Sequence, residues 1–301
     1  MNREIKRPRV AIIGPGSIGL DLMYKIKKHN NFQLAFMVGR NRNSEGLKLA
    51  RSEGVEVSAE GIEFINDHID HFDLIFDSTS AISHNYHNKT FSENGKVAID
   101  LTPAKIGTLC VPSINLTDTK NAQNVNLITC GGQSSLPIAW AISKASQSID
   151  YIEVVSTIAA KSAGLATRQN IDEYITTTES ALKKFSRAKC VKAILNINPA
   201  KPEVSMQTTL YLKAKYDSFA ILNEEISCIV SKVQSYVPGY RLEYEPRIHN
   251  DEIVVNISVK GSGDYLPSYA GNLDIINCAA ISVAEYKLSM RKEAICENIN
   301  Q

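Results

Sequence analysis

The chain has 301 residues, 44% of them hydrophobic and 22% charged, with a formal net charge of +1; that length buries a sizeable core and favours about two domains. A balance this even leaves no basic surplus to neutralise a nucleic-acid backbone or an anionic bilayer, and no apolar run is long enough to span one, so neither nucleic acid nor membrane is an expected partner. The six cysteines form no CxxC pair in a chain too large to depend on disulfides, and the opening residues lack the apolar stretch of a signal peptide, which together lead to the expectation of a cytoplasmic protein.

Arg9-Val-Ala-Ile-Ile-Gly14 reads as a short buried strand, and Ile18, Leu22, Met23 and Ile26 recur on one helical face after it. Between them lies Gly14-Pro15-Gly16-Ser17-Ile18-Gly19, a GxGxxG turn placed where a strand gives way to a helix. In that context the first glycine allows the tight turn, the second lets backbone approach a pyrophosphate, and the third lets helix pack on strand. A carboxylate that would bind a ribose 2′-hydroxyl is missing at the end of the second strand, where Val38-Gly39 runs into Arg40-Asn41-Arg42. Arginines there suit a 2′-phosphate, so NAD is expected with NADP left open.

Strand-like runs at 32–38, 73–77, 97–100 and 125–129 alternate with helical stretches at 44–52 and 83–93, the texture of a parallel sheet covered by helices. His84 and His87 are three residues apart without a third ligand nearby; they read as helix-start or surface residues, and no metal site is expected. A helical segment is read at 136–146. Beyond it, long strand candidates at 151–158, 191–197, 208–213 and 253–259, with helices near 171–185 and 219–233, indicate an α+β domain. The expected division is a dinucleotide-binding domain over 1–130, completed by a C-terminal helix at 272–290, and a catalytic and dimerisation domain over 131–271.

Cys130 is the best-placed thiol. It ends a buried strand, precedes Gly131-Gly132 and starts a helix with Pro137 in or near its first turn. A helix N-terminus favours thiolate, and glycines leave room for substrate and expose N–H groups to an oxyanion. Cys110 sits in a loop before Val111-Pro112, while Cys190, Cys228 and Cys278 read as small apolar residues of strands and helices.

At Thr129-Cys130-Gly-Gly-Gln133, Ser162-Ala-Gly-Leu-Ala-Thr-Arg-Gln-Asn170 and Tyr265-Leu-Pro-Ser-Tyr-Ala-Gly-Asn-Leu-Asp274 the chain resembles the acylating acetaldehyde dehydrogenases, partners of 4-hydroxy-2-oxovalerate aldolase in aromatic catabolism. The resemblance runs along nearly the whole chain. It implies an α/β fold like that of glyceraldehyde-3-phosphate dehydrogenase, a Rossmann domain joined to an α+β domain, and a homodimer or a hetero-oligomer with the aldolase. It implies interconversion of a short-chain aldehyde, acetaldehyde above all, and its acyl-coenzyme A, with NAD(P) as cofactor and coenzyme A as co-substrate. The thioester cysteine falls on Cys130. Cofactor contacts fall on the turn holding Pro15, Gly16, Ser17 and Ile18 between Gly14 and Gly19; on a second loop of Ser162, Ala163, Gly164, Leu165, Ala166, Thr167, Arg168, Gln169 and Asn170; and on Asn272.

The departures from the family pattern concern the same regions. Thr208 stands where the family carries an acid, Leu165-Ala166 replace Pro-Gly, Arg40-Asn41 replace a pattern with Asp at the second position, and a segment near residues 246–253 is shorter. Two other readings share the sequence signals: an acyl-phosphate-type semialdehyde dehydrogenase, and a degenerate cofactor-binding subunit of an aldolase complex.

Overall fold

The computed structural model describes residues 7–299 and divides into two compact units, one of residues 1–108, 116–126 and 280–301 and the other of residues 109–115 and 127–279. In chain order the first runs β1 (Arg9–Ile13), α1 (Ser17–Lys28), β2 (Gln33–Val38), α2 (Glu45–Ser52), β3 (Glu56–Ser58), α3 (Ile62–Asp67), β4 (Leu74–Asp77), α4 (Ala81–Glu93) and β5 (Val97–Asp100). After β6 (Thr108–Leu109) and α5 (Pro112–Asn115), β7 (Asn124–Asn126) returns to the same sheet. Its order is β3-β2-β1-β4-β5-β7-β6, and β1 pairs in parallel with both β2 and β4. Strand order therefore reverses between β1 and β4, which opens a crevice at their carboxyl ends where ligands of such folds bind. Buried apolar runs on both faces, among them Val10, Ile12, Phe36, Ile75, Phe76 and Ile99, are what a helix-covered parallel sheet demands.

The second unit holds α6 (Cys130–Lys144), β8 (Ser148–Ala159), α7 (Leu165–Gln169), α8 (Ile171–Ser186), β9 (Cys190–Asn198), β10 (Met206–Lys215), α9 (Phe219–Gln234), β11 (Tyr240–Leu242), β12 (Arg247–His249) and β13 (Glu252–Val259). The last helix, α10 (Gly271–Ile299), begins here and ends in the first unit. The sheet order is β11-β13-β10-β8-β9, antiparallel except for β8 beside β9. One face is apolar: Ile152, Val154, Ile158, Leu210 and Leu212 pack with Leu136, Ile142, Leu182 and Ile226 of the helices in one core. Ser156 and Thr208 are the exceptions in that alternation, both buried on the same face.

Three expectations need correction. Cys130 starts α6 as expected, but Pro137 is the eighth residue of that helix rather than part of its first turn; burial of both faces offsets the backbone bond that proline removes. His84 and His87 are buried, because Asp77 draws both imidazoles inward. Cys190 and Cys228 are exposed, as each falls on the solvent side of its element. No helix among the described residues is long and apolar enough to cross a membrane, and none of their His, Cys, Asp and Glu side chains are grouped to hold a metal ion.

Candidate active site and cofactor cradle

The turn after β1 has the shape the glycine spacing predicts. Gly14 has φ +113, a conformation closed to most side chains, and a Cβ there would lie 2.7 Å from the Ser78 backbone. At Gly19 a Cβ would collide with the Gly14 carbonyl, whereas at Gly16 it would meet nothing within 4 Å. That difference separates the roles: Gly14 and Gly19 are glycines for packing, and Gly16 leaves space for a ligand. Gly16 also N-caps α1 without a side chain over the positive end of the helix. Ser78, after β4, clamps the turn by donating to the Gly14 carbonyl at 2.9 Å. A cleft of about 480 Å³ in the same unit is lined by Arg40, Glu60, Gly61, Ile82, Ser83 and Tyr86. Ile82 and Tyr86 are exposed at its wall. No ion pair engages Arg40 or Arg42 among the described residues.

Beneath the carboxyl ends of β4, β5 and β7 lies a charged network that sequence reading missed. Asp77 Oδ2 takes His84 Nδ1 at 2.9 Å and His87 Nδ1 at 2.8 Å. His84 Nε2 lies 3.5 Å from Asp100 Oδ2 and 2.8 Å from Asn124 Nδ2, and Asn126 donates to Asp100 at 2.6 Å. The two carboxylates differ. Burial opposes the charge on Asp77, yet hydrogen bonds from both histidines bring it down to about 2. Burial dominates at Asp100, pushing it up to about 6 against the pull of His84. His84 itself is raised, its carboxylate and amide partners outweighing burial. Apart from the ion pairs, Thr79 and Thr102 close the network by donating backbone N–H groups to Asp77 at 3.0 Å and to Asp100 at 2.7 Å, so it fixes the loops that follow β4 and β5.

In the second unit Ile128 adopts φ +67, an uncommon conformation for a β-branched residue. The turn it makes delivers Thr129 as N-cap and Cys130 as first residue of α6; Thr129 Oγ1 accepts from the Gly132 N–H at 2.9 Å. The backbone dipoles at Cys130 and Gly131 favour the charged form of the sulfur. Part of Cys130 reaches solvent, but apolar packing around the sulfur pushes the thiol up to about 11, with Tyr174 and the two backbone dipoles opposing. The expected lowering by the helix start is therefore outweighed. Cys130 Sγ contacts Tyr174 Oη at 3.9 Å, and Ser156 Oγ lies on the same side of Gly131 as the Tyr174 hydroxyl. Ser156 and Thr208 face each other across β8 and β10, with hydroxyls 3.3 Å apart, and Thr208 continues to Ser134 at 2.7 Å. Thr208 was singled out in the sequence; Tyr174, Ser156 and Ser134 were not. Their signal was legible only in part: Ser156 is a polar residue at an apolar position of the alternation.

The second expected cofactor loop is ordered by its own contacts. Arg168 donates to the Ala163 and Ala160 carbonyls at 3.0 and 2.9 Å, folding Gly164, Thr167, Gln169 and Asn170 around α7; the side chains of Leu165 and Ala166 lie outside the described residues. Ser162 donates to the Ala159 carbonyl at 2.9 Å and its own carbonyl accepts from Asn272 Nδ2 at 3.4 Å. Asn272 is buried, and its Oδ1 has no hydrogen-bond partner, an arrangement that a ligand N–H would complete.

Residues 130–267 match the family model described as prokaryotic acetaldehyde dehydrogenase, dimerisation, and residues 9–122 match that of the semialdehyde dehydrogenase NAD binding domain. An acetaldehyde dehydrogenase of Burkholderia pseudomallei is 59% identical over 95% of this chain and 97% of its own length; that of Pectobacterium atrosepticum is 47% identical over the same shares. The chain belongs to the acetaldehyde dehydrogenase family. Among solved structures, aspartate semialdehyde dehydrogenase II of Vibrio cholerae, complexed with ASA, superposes with a TM-score of 0.63 over 93% of this chain and 98% of its own, at 17% identity. That likeness bears out the semialdehyde dehydrogenase fold, a Rossmann-like parallel sheet with a second, mixed sheet. For this acetaldehyde dehydrogenase relative, Cys130 is thus the first residue of the family's dimerisation region.

Proposed function

We propose that the protein interconverts acetaldehyde and acetyl-coenzyme A through a thioester on Cys130, with a nicotinamide dinucleotide as redox cofactor and coenzyme A as co-substrate. The observation that carries the reading is Cys130 itself: a partly accessible thiol on the first residue of a helix, where the first-turn backbone N–H groups of Cys130 and Gly131 have no partner within the helix. The residues present suit the cofactor. Gly16 offers open space at the positive end of α1 to a pyrophosphate, and Asn272 Oδ1 offers an acceptor to a carboxamide. When bound, the dinucleotide supplies the hydride acceptor or donor.

In this reading the sulfur of Cys130 attacks the carbonyl carbon, and the N–H groups of Cys130 and Gly131 hold the oxygen that gains charge. Ser162, Ala163, Gly164, Leu165, Ala166, Thr167, Arg168, Gln169 and Asn170 form a cofactor-binding loop stiffened by Arg168, and Pro15, Ser17 and Ile18 flank Gly16 at the phosphates. Arg40 at the end of β2 gives the 480 Å³ cleft a cation for a 2′-phosphate, so NADP is accepted beside NAD. The chain acts as a homodimer through residues 130–267, and a 4-hydroxy-2-oxovalerate aldolase is its partner, on the strength of the family resemblance. NAD(P)H oxidation with acetyl-coenzyme A, compared with acetyl phosphate at equal concentration, tests the reading: turnover with the thioester that disappears in Cys130→Ala supports it, and preference for the phosphate refutes it. Co-elution with such an aldolase tests the partner.

A further inference from the structure

We propose that Tyr174 is a catalytic residue of the Cys130 reaction, a bifunctional hydroxyl that takes the thiol proton and gives its own to the substrate carbonyl oxygen. The inference rests on Cys130 being the nucleophile. Where the family resemblance predicts an acid, this chain has Thr208, whose hydroxyl is spent on Ser134 and Ser156. Among the described residues the thiol has no carboxylate or imidazole as a hydrogen-bond partner; its partner is the Tyr174 hydroxyl. The groups acting on Tyr174 are equally uncharged: the Cys130 thiol, Ser156 and the Gly131 backbone.

The space for this hydroxyl is built. A Cβ on Gly131 would collide with Tyr174 Oη and lie 3.0 Å from Ser156 Oγ, so the glycine after the nucleophile is what lets the phenol reach the sulfur. Ser156 and Thr208 occupy apolar positions of the buried sheet face at the cost of core packing, and both serve the chain of hydroxyls that ends on Tyr174. Burial holds both the thiol and the phenol in their neutral forms, so neither is ionised beforehand. A neutral relay resolves the difficulty. As the sulfur lone pair forms the S–C bond, the S–H proton passes to Tyr174 Oη while the phenolic proton passes to the carbonyl oxygen, which receives the C=O π pair. The S–H and π bonds break, S–C and O–H bonds form, and Tyr174 ends as it began.

The test is the pH–rate profile of Tyr174→Phe, which keeps the ring in place and removes the hydroxyl. Its kcat with aldehyde is expected to fall about 100-fold or more and to climb with pH between 7 and 10, because addition then waits for free thiolate, while the wild-type profile is flatter. A variant within threefold of wild type, with an unchanged profile, overturns the role of Tyr174 and leaves the nucleophile standing if Cys130→Ala is inactive. Activity retained in Cys130→Ala overturns the nucleophile itself. Should Tyr174→Phe fail to fold, 3,5-difluorotyrosine at position 174 keeps the hydroxyl but acidifies it; because the relay needs the neutral phenol, the fall of activity at high pH should begin at lower pH than in wild type, and an unmoved profile overturns the proposal.

Discussion

Alkylation of the free enzyme by iodoacetamide measures how far burial governs Cys130. With the thiol pushed up to about 11, about three molecules in ten thousand carry a thiolate at pH 7.5, roughly a hundredfold fewer than for an unperturbed thiol near 9. Iodoacetamide has no carbonyl carbon for the relay to serve, so its reaction samples that thiolate alone. The rate at Cys130, followed by peptide mass mapping, should rise about tenfold per pH unit from 7 to 10 without a plateau. Exposed Cys190 and Cys228 are internal references in the same digest and should react first at pH 7.5. Turnover, by contrast, should change much less over that range. A plateau in Cys130 labelling below pH 9, or labelling ahead of Cys190 and Cys228, would refute the argument that burial outweighs the helix start.

Three further outcomes follow from the geometry. Gly131→Ala drives a methyl into the Tyr174 hydroxyl and should cost about 1–3 kcal/mol in urea denaturation, with activity lost beyond the stability effect. Asp100 has its folded value raised from 3.8 to about 6, so its contribution is present below about 4 and is lost as pH rises through 6; His84, also raised, loses its own contribution above its folded value. Asp77, held at about 2, loses stability only as pH falls towards 2. Wild-type stability should therefore decline between pH 4 and 7, and Asp100→Asn should flatten that slope by up to about 3 kcal/mol; an identical slope in the variant counts against the network. Arg40→Asp should weaken NADP more than NAD in paired Kd measurements, and a wild-type preference for NAD above about tenfold, roughly 1.4 kcal/mol, removes the 2′-phosphate role.

What could be read from the sequence and what could not divide along a physical line. The first sheet and the glycine turn were legible because their determinants are local: apolar runs of strand length, glycines at fixed offsets, and helical spacing of Ile18, Leu22 and Ile26. Cys130 was legible because the strand end, the paired glycines and the helix start lie within a few residues of it. The regular helical pattern is legible only from 136 on because Gly131, Gly132 and Pro137 are poor helix formers, and burial on nearly every side of α6 overrides their preference. The burial of His84 and His87 is not legible in the sequence because their partners come from β4, β5 and β7, and pairing between parallel strands is not written in any short window.

The same distinction explains the surroundings of the thiol. Tyr174, Ser156, Thr208 and Ser134 come from four separate elements, α8, β8, β10 and α6, and only strand register puts Ser156 opposite Thr208. Taken singly, each is an ordinary buried hydroxyl. In the proposed relay they stand in for a charged helper as a chain of neutral groups. A buried carboxylate at 208 would need a cation or donors to hold its charge, and the partners present, Ser134 and Ser156, are two hydroxyls already bonded to Thr208. Restoring the acid by Thr208→Asp should therefore destabilise the fold and still leave turnover dependent on Tyr174. Full activity of a Thr208→Asp, Tyr174→Phe double variant would show instead that the carboxylate and the phenol are interchangeable and that the relay is one solution of two.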